Sequence, residues 1–228
     1  LGSRSTALGR STLQNQNFTT ATSAYNVAIG YAAGDAVTTG VQNVLIGALA
    51  GDALTDADFN IAIGHTALGL DTLGSRNIAI GHSALDAQNF TTATNSYNVA
   101  VGHAAGTNVT TGIQNTLIGG LAGDALTDAD FNIAIGFQAL TTDTLGSQSV
   151  AIGTAALSVQ NYTTATDALN VAVGYNAGAA VSTGFQNTII GGLAGDALTD
   201  ADYNTALGSK ALTSDTLGSR STALGRGT

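Results

Sequence analysis

A five-residue pattern, [Asn/Ser]-x-[Ala/Leu/Ile]-[Ile/Val/Leu]-Gly, recurs thirteen times along this chain, as in Asn26-Val27-Ala28-Ile29-Gly30. Its closing glycines are Gly9, Gly30, Gly47, Gly64, Gly81, Gly102, Gly119, Gly136, Gly153, Gly174, Gly191, Gly208 and Gly225. They are spaced 21, 17, 17 and 17 residues apart, three times over, which makes a super-repeat of 72 residues. Asn26, Asn98 and Asn170 are thereby equivalent. A fixed period this short marks a solenoid, in which each repeat is one coil stacked on its neighbour. The expected fold is all-β, a β-solenoid or β-roll of about 13 coils. It forms a single elongated repeat domain over residues 1–228, with super-repeats at about 5–76, 77–148 and 149–220 and a partial coil at 221–228.

Each pattern holds about one strand. Side chains alternate between faces with period two, so Val27 and Ile29 share one face and Ala28 and Gly30 the other. Neither face is polar, whereas a sheet solvated on one side alternates apolar with polar. Both faces are therefore expected to be covered. The branched face suits the coil's own interior, which leaves Ala28, Ala62, Ala79, Ala100 and Ala134 to meet a partner chain or a second sheet. A thin coil built largely of Ala and Gly buries little apolar surface alone, and association through that small face would add the rest.

Aligning the coils on their Asn exposes further columns. The Asn side chains (Asn26, Asn43, Asn60, Asn77, Asn98 and onward, interrupted by Ser5, Ser149 and Ser221) are expected to form an amide ladder up the stack. Twelve residues later stands Thr, as in Thr38, Thr55 and Thr72, and two beyond it a small residue, as in Gly40, Ala57 and Gly74. At the strand spacing of about 4.8 Å, thirteen coils would make a rod on the order of 60 Å long. Every fourth coil carries an insertion, Gln16–Thr22, Gln88–Thr94 or Gln160–Thr166, expected to protrude from one edge.

Composition bears on function mainly by exclusion. There is no Cys, Met, Trp or Pro, all 15 acidic residues are Asp, and Lys210 is the single lysine. Gly, Asn, Asp and Thr favour turns and strands over helix surfaces. A net charge of −9 lacks the basic footprint of a nucleic-acid binder. No run approaches the ~18 apolar residues of a membrane span, so no membrane insertion is expected.

The repeat resembles the head repeats of trimeric autotransporter adhesins, as in Ser149-Val150-Ala151-Ile152-Gly153 and Asn77-Ile78-Ala79-Ile80-Gly81. It is also similar to the Asn-Thr-Ala-[Ile/Val]-Gly repeats of phage tail fibres and bacterial surface proteins. There, too, a 17-residue period carries Ala-Leu or Ala-Gly and Thr-Thr-Gly, as in Thr38-Thr39-Gly40 and Thr110-Thr111-Gly112. The resemblance covers essentially the whole chain; the 21-residue fourth coil departs from it. It implies a β-roll or β-solenoid with three chains side by side, in a fibre that is extracellular, on a cell surface or on a virion.

Candidate sites are few. Asp52, Asp56 and Asp58, with their copies at Asp124–Asp130 and Asp196–Asp202, could offer Ca²⁺ two carboxylates per segment, but they read as solvated turns. His65, His82 and His103 would stack in three successive coils with no carboxylate in their column, so a surface turn is the expected role. Asn17, Asn89 and Asn161 fit the N-glycosylation acceptor on the protrusions, and Asn108 fits it elsewhere. Phe18, Phe90 and Tyr162 sit beside the first three and could serve as stacking platforms for host or matrix glycans. No catalytic, cofactor or metal constellation emerges, and enzyme activity is not expected. The expected function is a structural fibre or adhesin shaft, a homo-multimer that is trimeric by resemblance; the alternative is a carbohydrate- or ice-binding solenoid. Residues 1–10 also reappear unchanged at 217–226, an offset of 216 residues. That identity suits either one stretch of a longer repetitive chain or subunits stacked end to end.

Overall fold

The computed structural model describes residues 2–228, and these contain strands and turns with no helix. Parallel strands about 17 residues apart stack as a β-solenoid of about 13 turns. Contacts divide the chain into two compact units, Leu1–Gln114 and Asn115–Thr228. In the first, the rung strands are Thr6–Leu8, Val27–Ile29, Val44–Ile46, Ile61–Ile63, Ile78–Ile80 and Val99–Val101, each paired in parallel with the next. In the second they are Thr116–Ile118, Ile133–Ile135, Val150–Ile152, Val171–Val173, Thr188–Ile190, Thr205–Leu207 and Thr222–Leu224. Register never slips: Ala62 lies opposite Leu45 on one side and Ala79 on the other.

The corner glycine sets the coil's turn. Gly64 has φ +139°, and a Cβ there would stand 2.3 Å from the carbonyl oxygen of Gly81 in the next coil. Both the backbone angle and the space exclude any other residue. The same collision repeats from Gly30 to Gly47 at 2.4 Å and from Gly136 to Gly153 at 2.5 Å. Thirteen glycines in one column are thus a steric requirement of stacking.

The interior is filled by size compensation. The strand's middle residue points inward and is fully buried at Ala28, Leu45, Ala62, Ala79 and Ala100. Six residues further on, a second inward position complements it. Ala62 is matched by Leu68 and Ala79 by Leu85, whereas Leu45 is matched by Gly51 and Leu117 by Gly123. A Cβ on Gly51 would sit 2.8 Å from Leu45 Cδ2, so the coil holds one large side chain across that gap and not two. Where both positions are small, as at Ala28 and Gly34, Leu45 and Leu13 of the adjoining coils and Val37 fill the space.

The buried Asn column locks each coil shut. Asn26 Nδ2 donates to Gly40 O (2.8 Å), Asn43 Nδ2 to Ala57 O (2.7 Å) and Asn60 Nδ2 to Gly74 O (2.9 Å). In the second unit Asn132 Nδ2 donates to Gly146 O (2.9 Å) and Asn187 Nδ2 to Ala201 O (2.7 Å). Each Oδ1 meanwhile accepts the backbone N–H of the next Asn, as from Asn43 to Asn26 and from Asn60 to Asn43, both at 2.9 Å. The ladder therefore runs through backbone groups. Direct amide-to-amide bonds appear only as longer contacts, at 3.3 Å between Asn43 and Asn26 and 3.2 Å between Asn187 and Asn170. The turn carbonyl fourteen residues on takes the amide first, because buried backbone carbonyls must find a donor.

Candidate interaction surface

The two faces of the sheet are the reverse of the sequence expectation. Ala28, Ala62, Ala79, Ala100 and Ala134 are all 0% exposed within the single chain, so none of them can face a partner. The physical reason is the coil's thinness: the opposite wall lies so near that only Ala, or one Leu or Ile opposite a Gly, fits at mid-strand. The β-branched residues are turned outward instead. In the first unit Val27, Val44, Ile61, Ile78 and Val99 form one half-exposed column, and Ile29, Ile46, Ile63, Ile80 and Val101 form its neighbour. In the second unit Ile118 and Ile133 are 37% and 36% exposed. Each unit thus carries a flat, uncharged parallel-sheet face with no cover in the chain.

Exposed aromatic residues flank this face. The residue before each ladder Asn stands outside, at Tyr25 (47%), Phe59 (40%) and Tyr97 (50%) in the first unit. Arginines lie against these rings. The Arg76 guanidinium sits 4.7 Å from the Phe59 centroid and 5.9 Å from that of Tyr97, and Arg4 sits 5.5 Å from Tyr25. On the other flank Tyr31 is exposed, with Arg10 5.9 Å from its centroid.

The insertions fold back onto the coil. Thr94–Asn95 pairs in parallel with Gly74–Ser75, and Thr166–Asp167 with Gly146–Ser147. Phe18, Phe90 and Tyr162 are each only 6% exposed, which corrects their assignment as stacking platforms. They are plugs over glycine: a Cβ on Gly74 would stand 2.9 Å from Phe90 Cδ2, and one on Gly146 2.7 Å from Tyr162 Cδ2. A buried carboxylate anchors each plug. Asp71 accepts the N–H of Gly74 (3.0 Å), the N–H of Phe90 (3.2 Å) and Gln88 Nε2 (2.6 Å), and Gln88 Oε1 accepts Asn98 Nδ2 (2.8 Å). Asp143, Gln160 and Asn170 repeat the arrangement around Tyr162, whose hydroxyl donates to Gly184 O (2.7 Å). Burial pushes the Tyr162 phenol well above its ordinary range, and the Asp143 charge adds to the effect. Asn17 and Asn89 remain exposed and Asn161 half-buried; Asn89 Oδ1 accepts from Thr72 Oγ1 (3.1 Å).

The acidic segments work between coils. Asp58 Oδ1 accepts the N–H of Val41 (2.8 Å) and Asp56 Oδ1 the hydroxyl of Thr39 (2.5 Å). Burial raises the Asp58 carboxyl above its usual range, the Val41 N–H opposes this, Asp56 adds to it and Arg76 opposes it. The three imidazoles do stack, His65 on His82 at 5.2 Å and His82 on His103 at 5.3 Å, with ring planes within 12° and 13° of parallel. Sequence reasoning missed a carboxylate beside them. Burial raises Asp86, and the charges of His65 and His82 pull it back. Among the described residues no three His, Cys, Asp or Glu are grouped to hold a metal ion, and no pocket forms. Comparison with family models, with curated proteins and with solved structures yields no match to this chain.

Sequence reasoning also missed the outward Val/Ile columns, the exposed Tyr25–Phe59–Tyr97 series and the Asp71–Gln88 anchor. The anchor had a signal: Asp71, Asp143 and Asp215 recur at the 72-residue super-repeat.

Proposed function

We propose that this chain is a structural fibre or adhesin shaft that self-associates side by side through its outward Val/Ile face. The observation that carries the reading is that face itself. Parallel sheets are covered on both sides, and an extended apolar surface marks an association site. Here the inner side is filled by Ala and Leu, while Ile29, Ile46, Ile63 and Ile80 stand uncovered. A second copy of the chain supplies a matching face with the same rung spacing. The resemblance to trimeric adhesin heads and tail-fibre repeats favours three copies, and an extracellular, cell-surface or virion setting. The Thr column favours this reading over ice binding, because its hydroxyls are spent between coils: Thr55 Oγ1 donates to Thr72 O and Thr127 Oγ1 to Thr144 O, both at 3.0 Å.

Sedimentation velocity tests the proposal, comparing the native chain with an Ile63→Glu/Ile80→Glu variant. The native protein should sediment at a small multiple of 22.5 kDa and the variant as a monomer with unchanged circular dichroism. A native protein that stays monomeric at high concentration, or a variant with undiminished mass, would overturn it.

A further inference from the structure

We propose that the exposed column one residue before each ladder Asn is a binding strip for a neutral linear polysaccharide, with its rings stacked on pyranose faces. In the first unit the column reads Arg4, Tyr25, Gln42, Phe59, Arg76, Tyr97, all exposed. The second unit carries its own version, with Phe131, Leu169 and Tyr203 at 48%, 43% and 41% exposure.

The backbone gives the first argument. Every one of these residues has a left-handed φ, from 52° at Tyr97 to 67° at Arg76. That conformation favours Gly, Asn or Asp and is costly for bulky side chains. The column contains none of the three; it is built from aromatics, Arg, Gln and one Leu. Leu68 and Leu85 share the unfavourable φ elsewhere in the coil, but they are fully buried and return the cost as core. Tyr25, Phe59 and Tyr97 face solvent, so the chain's own packing does not explain them. Residues that break a local rule at the surface, repeatedly and in register, point to a use outside the chain.

The chemistry of the strip selects the ligand. The rings already take a flat group against their faces, since Arg76 lies between Phe59 and Tyr97 at 4.7 and 5.9 Å. Members succeed one another at the strand spacing of about 4.8 Å, of the order of one sugar ring in an extended chain. Between rings stand Gln42 and Arg76, side chains that donate hydrogen bonds to hydroxyls. Such alternation of apolar plates with donors suits a polymer whose units each have a C–H face and equatorial hydroxyls. The net charge of −9, and Asp58 acting electrostatically on Arg76, disfavour a polyanion. A neutral β-1,4-linked glycan fits best. The strip is independent of the Val/Ile association face.

The test uses the whole chain and a Tyr25→Asn/Phe59→Asn/Tyr97→Asn variant. Asn tolerates the left-handed backbone, so the rings are removed while the coil is eased, and circular dichroism checks that the fold is kept. The native protein should be retained on amorphous cellulose or chitin. Its affinity for cellohexaose in titration calorimetry should fall at least tenfold in the variant, while Phe59→Trp keeps it. Four outcomes would overturn the proposal: no retention of the native protein, equal binding by the variant, binding to polygalacturonate alone, or a change in sedimenting mass in the variant. The last would assign the strip to contact between copies.

Discussion

Two asparagines in one ladder should respond oppositely to the same substitution. Asn60→Ser removes the Nδ2 bond to Gly74 O and the Oδ1 that accepts the Asn77 N–H, both at 2.9 Å and both buried. Each backbone group left unpaired costs about 1–3 kcal/mol, so the variant loses about 2–6 kcal/mol. Asn77 opens a 21-residue coil, where the insertion alters the return path, and its Nδ2 has no partner. Its Oδ1 accepts Ser96 Oγ (2.8 Å) and the Asn98 N–H (3.1 Å). Asn77→Ser sheds an unpaired buried NH₂ along with one backbone acceptor. It also reproduces Ser149, whose hydroxyl accepts Gln160 Nε2 at 3.0 Å. The net cost should stay under about 1 kcal/mol. At ~2–4 °C per kcal/mol for a chain of this size, Asn60→Ser should lower Tm by on the order of 10 °C and Asn77→Ser by under about 4 °C. Parallel thermal melts followed by circular dichroism read both. Equal shifts, or a larger one for Asn77→Ser, would refute the idea that the Asn amide closes its own coil.

Gly64→Ala should prevent that coil from stacking, since its Cβ would meet Gly81 O at 2.3 Å; soluble protein with a native melt would contradict this. Tyr162 sets an alkaline limit. Its folded-state pKa is raised by burial, so above about pH 10, where an unfolded tyrosine ionises, the folded chain holds the proton that the unfolded one releases, and stability falls as pH rises. Tyr162→Phe should cost about 1 kcal/mol or less near neutrality, because Gly184 O keeps the Asn170 Nδ2 donor at 2.7 Å. It should also flatten the Tm decline between pH 9 and 11, and an unchanged slope would argue against this assignment.

The coil count, the strand positions, the corner glycines and the Asn column were legible in sequence, because stacking repeats each requirement at a fixed interval. Which face points inward was not. Alternation says that Val27 and Ile29 share a side, but the choice of side depends on how far the opposite wall of the coil lies. That distance is encoded less directly, in the trade between Ala62 with Leu68 and Leu45 with Gly51. The insertions misled for a related reason. Aromatics in a Thr-rich segment read as exposed, and only the pairing of Thr94 with Gly74 shows Phe90 lying over the glycine column. The exposed series at Tyr25, Phe59 and Tyr97 was hidden because Gln and Arg share its column, so no single residue type repeats.

The face assignment underlies the whole account, and thiol labelling measures it directly because the native chain has no cysteine. Ala79→Cys and Ile80→Cys place single thiols on adjacent residues of one strand. The Ala79→Cys thiol should resist maleimide at every protein concentration. The Ile80→Cys thiol should label readily in dilute solution and become protected as concentration rises and copies associate. Faster labelling at position 79 than at 80 would mean that the small face is the outer one, and would contradict the account.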